Sequence, residues 1–193
     1  MLKIPLPCVI LSGGKSSRMG EDKSLLPFGD EPTLTQYQMK RLEKFFDSLH
    51  VSTKDSSKFD FNASFIEDEK RFKEHSPLVA LYSILKRLQC DTFVLSVDTP
   101  FVSPESIFKL YSAKKDEDEI VIAKDSERTH QLCGIYSPLI LHKIEENLKV
   151  KKHRIRDLFE NSKVKYVEFD NPDEFTNMNY KDDYIKAKQW LNT

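Results

Sequence analysis

The segment Pro7–Ser12, PCVILS, constrains this chain most. It is apolar at every interior position, without the alternation of a half-exposed strand. A strand of that kind has both faces covered, as in parallel sheets flanked by helices on either side. It stops at Gly13-Gly14. A second run, Asp91–Pro100, DTFVLSVDTP, reads as another buried strand, stopped by Thr99-Pro100. Between them lie the short strand-like runs Ser48–Thr53 and Ala63–Asp68. Two helical segments accompany them. Thr33–Phe46 spaces Tyr37, Leu42, Phe45 and Phe46 near a helical period behind Pro32-Thr33, and Pro77–Leu88 opens on a proline. Pro104–Lys115 reads as the next helix.

The second half continues with strands over Glu119–Asp125 and His130–Ser137, then helices over Pro138–Asn147 and Ile155–Asn161. A late strand over Val164–Phe169 and a closing helix over Asn179–Asn192 follow. The charged runs Lys114–Glu119 and Lys149–Asp157 read as surface turns or loops. Strand–helix alternation predicts a Rossmann-like, three-layer α/β fold with a mostly parallel central sheet and right-handed crossovers. The 193 residues fit one globular domain, residues 1–193, with a sizeable core. Ligands on such sheets bind beyond the carboxyl ends of the strands. Gly13-Gly14, Asp68 and Asp98 all fall there.

Composition narrows the function classes. A net charge of −1 offers no global basic field for nucleic acid or an anionic membrane surface, although a local cationic pocket is compatible with it. The apolar runs are strand-sized, far short of a bilayer span. The N-terminal stretch lacks the longer apolar region and cleavage site of a signal peptide, so the expected location is cytoplasmic. Cys8, Cys90 and Cys133 form no Cys-x-x-Cys pair, and an odd count cannot close a full disulfide set. Cys8 and Cys133 sit in apolar runs and are expected to be buried thiols. The five histidines show no zinc-like spacing.

LSGGKSSRMGEDK, Leu11–Lys23, contains Gly14-Lys15-Ser16, the ending of a P-loop. The first glycine of a P-loop would fall at Val9, inside the strand, so that reading fails. The Gly-x-Gly-x-x-Gly fingerprint fails as well, because the glycines are adjacent and the next is Gly20. An anion site remains. Gly13 and Gly14 can adopt positive φ and let backbone N–H groups approach an oxygen closely, while Arg18 and Lys23 supply a planar fork and a mobile charge. The plainer reading is a glycine turn with solvated cations. Asp98 follows FVLSV directly. It is either a turn or helix-capping acid or, facing a cationic loop, a ligand for Mg²⁺, which takes one or two carboxylates plus substrate phosphates. Asp68 could hold nucleotide or metal, or be an ordinary turn acid. Asn177 and Asn179 in FTNMN share a face if extended and could read a polar substrate; equally, they could be turn residues.

These motifs together, LSGGKSSRMGEDKSLLPFGDEP, then IED, SPLVAL, VDTPFV and TNMN, resemble the molybdenum cofactor guanylyltransferases of the nucleotidyltransferase superfamily, in order and spacing across nearly the whole chain. The resemblance implies GMP transfer from GTP to the terminal phosphate of molybdopterin (Mo-molybdopterin), with Mg²⁺ as cofactor and pyrophosphate leaving. It implies that Leu11, Ser12, Gly13 and Gly14 line the GTP pocket and that Lys23 and Asp68 contact GTP. Asp98 would bind both nucleotide and Mg²⁺. Arg18 would neutralise the triphosphate, making Arg18, Lys23 and Asp98 the catalytic set. Asn177 and Asn179 would form part of the pterin-side pocket. The implied partners extend to recipient molybdoenzymes or their chaperones.

The chain departs from the family pattern at Ser12, where Ala is usual, at Ser52 and Ser76, where many members carry Asn and Gly, and at His130-Gln131, where His-Pro is common. Ser-Gly-Gly and Pro77-Leu78 resemble the guanosine branch rather than the cytidylyltransferases. The alternatives are a related cytidylyltransferase or sugar-phosphate nucleotidyltransferase, or a non-catalytic GTP-binding protein.

Overall fold

The computed structural model describes residues 3–13 and 20–191. Among these described residues, seven strands, β1 (Ile4–Leu11), β2 (Phe46–Thr53), β3 (Phe65–Glu67), β4 (Thr92–Ser96), β5 (Ile120–Lys124), β6 (Thr129–Tyr136) and β7 (Val164–Glu168), form one sheet in the order β3-β2-β1-β4-β6-β5-β7. Every pairing is parallel except those of β6, which runs against both β4 and β5. The sheet is therefore mostly parallel, as the strand–helix alternation predicts.

The helices are α1 (Leu34–Leu42), α2 (Pro77–Leu88), α3 (Pro104–Ala113), α4 (Leu141–Lys149) and α5 (Lys181–Trp190). Successive residues of β1 enter opposite cores. Cys8 and Ile10 pack with Leu34, Leu42, Ile107 and Ala187, from α1, α3 and α5. Val9 and Leu11 pack with Leu78–Leu85 and Ile144, from α2 and α4. Both faces of the sheet are thus covered, which is why PCVILS is apolar without alternation. Pro5 and Pro7 lack an N–H to donate, and they lie where the β1–β2 register shifts and before the β1–β4 pairing begins at Cys8.

The element boundaries differ from the sequence expectation in instructive places. The helix starting after Thr33 ends at Leu42, and Phe46 already belongs to β2. Phe45 and Phe46 continue the helical spacing in sequence, but Phe46 is needed in the sheet, paired with Ile4 and packed at a tilt against Phe93. The segment Pro138–Asn147 opens as a 3-10 turn, Pro138–Ile140, before α4, and Ile155–Asn161 is 3-10 throughout. Cys8 and Cys133 are buried and Cys90 is exposed. Burial pushes both buried thiols far above the ordinary range, so they are inert.

Candidate active site

The strand order reverses direction at β1, which has β2 on one side and β4 on the other. The loops leaving the carboxyl ends of β1 and β4 therefore diverge and leave a crevice between them. After β1, Ser12 N–H still donates to the Ser52 carbonyl (2.8 Å), prolonging the sheet by one residue. The loop returns at Asp22, which caps a 3-10 turn, Lys23–Leu25, by accepting from Ser24 N–H (3.0 Å) and Ser24 Oγ (2.7 Å). This turn aims Lys23 across the crevice. After β4, the Ser96 carbonyl accepts from Thr99 N–H (3.3 Å) and Thr99 Oγ1 (2.9 Å), forming a tight turn with Asp98 in it.

Lys23 and Asp98 meet there. The ammonium lies 2.9 Å from Asp98 Oδ2, and Ser96 Oγ donates to Asp98 Oδ1 (2.6 Å). Lys23 also donates to the Met178 carbonyl (2.9 Å) and to Asn179 Oδ1 (3.4 Å). Met178 N–H in turn donates to the Asp98 carbonyl (3.0 Å). Three stretches far apart in sequence, the first loop, the β4 turn and the FTNMN segment, are thus fastened to one another by one ammonium and one carboxylate.

Two cavities meet at this junction. The first, about 240 Å³, is lined by Leu11, Ser12, Gly13, Lys23, Ser24 and Pro77, among others. The second, about 380 Å³, is lined by Arg128, His130, Gln131, Phe175 and Asn177, among others. They share Ser96, Asp98, Leu132 and Asn179.

Leu11, Ser12, Gly13, Lys23, Asp98 and Asn179 therefore line the first cavity, and Asn177 joins Asp98 and Asn179 in the second. Gly14 and Arg18 lie outside the described residues. Asp68 stands apart from both cavities; its side chain is buried and pairs with His75 Nδ1 (3.2 Å). Burial pushes the Asp68 carboxyl above its ordinary value, outweighing the His75 contact. Ser12 lines the crevice with its polar groups already engaged by protein: its N–H on Ser52, its hydroxyl on Thr35 and its carbonyl on Lys58. Gly13 does not use a left-handed φ; Gly20 does, at 75°. A Cβ at Gly13 would meet only ordinary contacts, the nearest at 3.8 Å. The segment holding Asn177 and Asn179 is turned, with Asn179 N–H donating to the Asn177 carbonyl (3.0 Å), so the two amides reach partly different cavities.

Several residues at the crevice carry no motif in the sequence. Lys58 donates to the Ser12 carbonyl (2.9 Å), Asp22 Oδ2 (2.7 Å) and Ser24 Oγ (3.0 Å), tying the start of the first loop to its end. Burial raises the Asp22 carboxyl, but the hydrogen bonds from Lys58 and Ser24 outweigh this and hold it below its ordinary value. In the second cavity, His130 Nε2 lies 2.7 Å from Asp125 Oδ2, and the ring stacks on Phe175 (4.4 Å). Burial opposes ionisation of Asp125, but N–H donation from Arg128 and Glu127, with His130, holds it at about 2. Burial lowers His130, so the imidazole is neutral at pH 7 and Nε2–H donates to Asp125.

Residues 8–166 match the family model described as MobA-like NTP transferase domain. A curated molybdenum cofactor guanylyltransferase from Campylobacter jejuni subsp. doylei is 40% identical over 187 residues, covering 96% of this chain and 97% of the relative. The chain belongs to the molybdenum cofactor guanylyltransferase family. A Helicobacter pylori member is 35% identical over 192 residues, covering 96% of this chain and 90% of its own. The crystal structure of molybdopterin-guanine dinucleotide biosynthesis protein A from Archaeoglobus fulgidus superposes with a TM-score of 0.83 at 22% identity, covering 97% and 99% of the two chains. That last likeness speaks for the fold. With the family comes the reaction class: the chain is an enzyme, a nucleotidyltransferase. No helix among the described residues is long and apolar enough to cross a membrane.

Proposed function

We propose that this member of the guanylyltransferase family transfers GMP from GTP to the terminal phosphate of molybdopterin, forming molybdopterin guanine dinucleotide and releasing pyrophosphate. The observation that carries the reading is the pair of cavities sharing Asp98 and Asn179, with Lys23 reaching the same carboxylate. A transfer between two anionic substrates needs two compartments that open onto one charged centre. The first cavity, next to the β1 loop, suits the nucleotide; the second, walled by the start of β6 and by Phe175, suits the flat pterin.

The acceptor is a phosphate monoester, already anionic at neutral pH, so the reaction needs no strong general base. It needs two polyanions aligned at the α-phosphorus and their charge offset. Lys23, and Arg18 on the same loop, would stabilise the departing pyrophosphate. Leu11, Ser12, Gly13 and Gly14 would border the nucleotide, while Asn177 and Asn179 would hold the acceptor. Asp68, with its partner His75, would act from the rim beyond β3.

Among the described residues there is no cluster of three or more His, Cys, Asp or Glu side chains that could hold a metal. The crevice instead gathers hard oxygens, Asp98 Oδ2, Met178 O and Asn179 Oδ1, around one cationic group, the Lys23 ammonium. A single carboxylate among such oxygens fits Mg²⁺, which fills its remaining positions with phosphate oxygens and water. Asp98 would hold it, and when bound it would offset charge on the phosphates.

The test is incubation of the purified protein with Mg²⁺, molybdopterin and either GTP or CTP, with the dinucleotide detected by mass. Product from GTP, and a loss of most turnover in Asp98→Ala, is the expected result. Preferential product from CTP would overturn the base assignment. GTP binding with no pyrophosphate release would replace the reading with that of a binding protein.

A further inference from the structure

Helix α1 carries a polar stripe at three-residue spacing, Thr35, Gln38 and Arg41, on the face turned toward the crevice loops. Residues so spaced stand one above the other on a helix. Thr35 and Gln38 are wholly buried, where an unpaired polar group would be costly. Their partners are the two halves of the site. Thr35 Oγ1 donates to the Ser24 carbonyl (2.9 Å), so the Ser12 hydroxyl must be the donor in its 3.2 Å contact with Thr35. One hydroxyl therefore joins both ends of the first loop.

Gln38 Nε2 donates to the Thr99 carbonyl (3.1 Å) and the Val97 carbonyl (3.4 Å). These are the residues on either side of Asp98. The Asp98 carbonyl is taken by Met178 N–H, so three consecutive carbonyls of the turn are held from outside it. The amide cannot flip, because Gln38 Oε1 accepts from Arg41 Nε (3.1 Å) and Nη2 (2.7 Å). Arg41 Nη1 then donates to the Val102 carbonyl, farther along the same loop. Among the described residues Arg41 has no carboxylate at ion-pairing distance. Its hydrogen bonds go to the amide that it orients and to the loop that the amide grips.

We infer that this stripe of α1 is a brace that sets the placement of Asp98 against the Lys23 loop, with Gln38 and Thr35 as positioning residues for the transfer reaction. The inference rests on the function proposed above. Neither residue touches substrate; each acts through the backbone of a loop that does. Gln38 governs the Asp98 side, and Thr35 the nucleotide loop.

The two ends of the brace separate in kinetics. Gln38→Leu is expected to lower kcat about a hundredfold, the scale of a misplaced reacting group, with KM for GTP within about twofold of wild type. Gln38→Glu keeps the shape and the Arg41 contact but has no N–H to give; it is expected to behave alike and serves if the leucine variant does not fold. Thr35→Val is expected to raise KM for GTP about tenfold, and Thr35→Ser to restore it. In an Asp98→Asn background, Gln38→Leu should cost nothing further, since the carboxylate it aims is gone. An unchanged kcat in both Gln38 variants, or an equal loss with and without Asp98, would overturn the brace.

Amide exchange of residues 97–102 separates this from failure of the functional reading. If wild type forms no dinucleotide, the brace still requires faster exchange of that turn in either Gln38 variant, with β4 unchanged. Unaltered exchange in the turn would sink it whatever the activity.

Discussion

Lys23 and Lys58 are both lysines at the crevice, and they do different work. Lys23 reaches Asp98, Met178 and Asn179, so its ammonium lies where the two cavities meet. Lys58 reaches Ser12, Asp22 and Ser24, all on the first loop. Lys23→Met is therefore expected to lower kcat by about a hundredfold or more, as removing a donor at developing charge does. Lys58→Met is expected to act chiefly through KM for GTP, raising it about tenfold while kcat changes little. Steady-state kinetics of the two variants with GTP and molybdopterin checks the contrast; equal effects on kcat would contradict it. That the first loop and Asp98 come to one edge was legible in the sequence, because each follows a buried strand and parallel strands deliver their carboxyl ends together; that Lys23 itself pairs with the Asp98 carboxylate was not. Nor was the role of Lys58. It sits in a polar stretch, KDSSKFDF, where nothing distinguishes a lysine that reaches back across the sheet edge from one in solvent. The same holds for Gln38, whose role depends on which face of α1 meets the β4 turn.

At the scale of elements, buried strands were readable from apolar runs and α2 from its proline start and period. The structure gives α2 the span Pro77–Leu88, with Ser76 capping it by accepting from Val79 N–H (3.2 Å). What the period could not show was where one element yields to the next. Phe46 suits both a helix face and a strand, and only its partners Ile4 and Phe93 decide for the strand. Nor could it show that β6 reverses direction, since an antiparallel strand buried on both faces is as apolar as a parallel one. Gly134 lies in β6 opposite both Val94 and Ile122. A Cβ there would stand 2.2 Å from the Val121 carbonyl oxygen, a backbone atom that cannot move without parting the strands. Gly134→Ala is expected to destabilise the fold by about 1–3 kcal/mol, the usual cost of overpacking. Urea denaturation measures it, and an unchanged midpoint would show that β5 and β6 can separate cheaply.

Over the whole molecule, acid should loosen the fold by way of titrating groups whose surroundings hold them below their ordinary values. Burial holds His50 and His130 below their ordinary 6.5. Asp22, Glu119 and Asp125 lie below their ordinary carboxylate values, because hydrogen bonds outweigh a burial that pushes the other way. For every one of these groups the unfolded chain takes up its proton at a higher pH than the folded chain, so unfolding consumes protons and stability drops as pH drops. The loss begins as pH falls below 6.5 and continues from the carboxylate range down to about 2, where Asp125 titrates. Asp68, raised by burial, opposes it with the contrary sign. Urea unfolding at several pH values and constant ionic strength should give a free energy that declines steadily below pH 6.5; a rise between there and the carboxylate range would refute the balance of signs. The reversal of β6 has a consequence for how such a chain can change over time. The first cavity is bordered by loops that connect strand to helix, whereas the wall of the second begins at a hairpin tip, residues 125–128, pinned by Asp125 to its own backbone and to His130. A hairpin tip can be lengthened, shortened or exchanged without disturbing the crossovers. If the first cavity takes the nucleotide and the second the acceptor, as proposed above, the two halves of the site are separate modules, and a new acceptor could be adopted while the nucleotide half stays as it is.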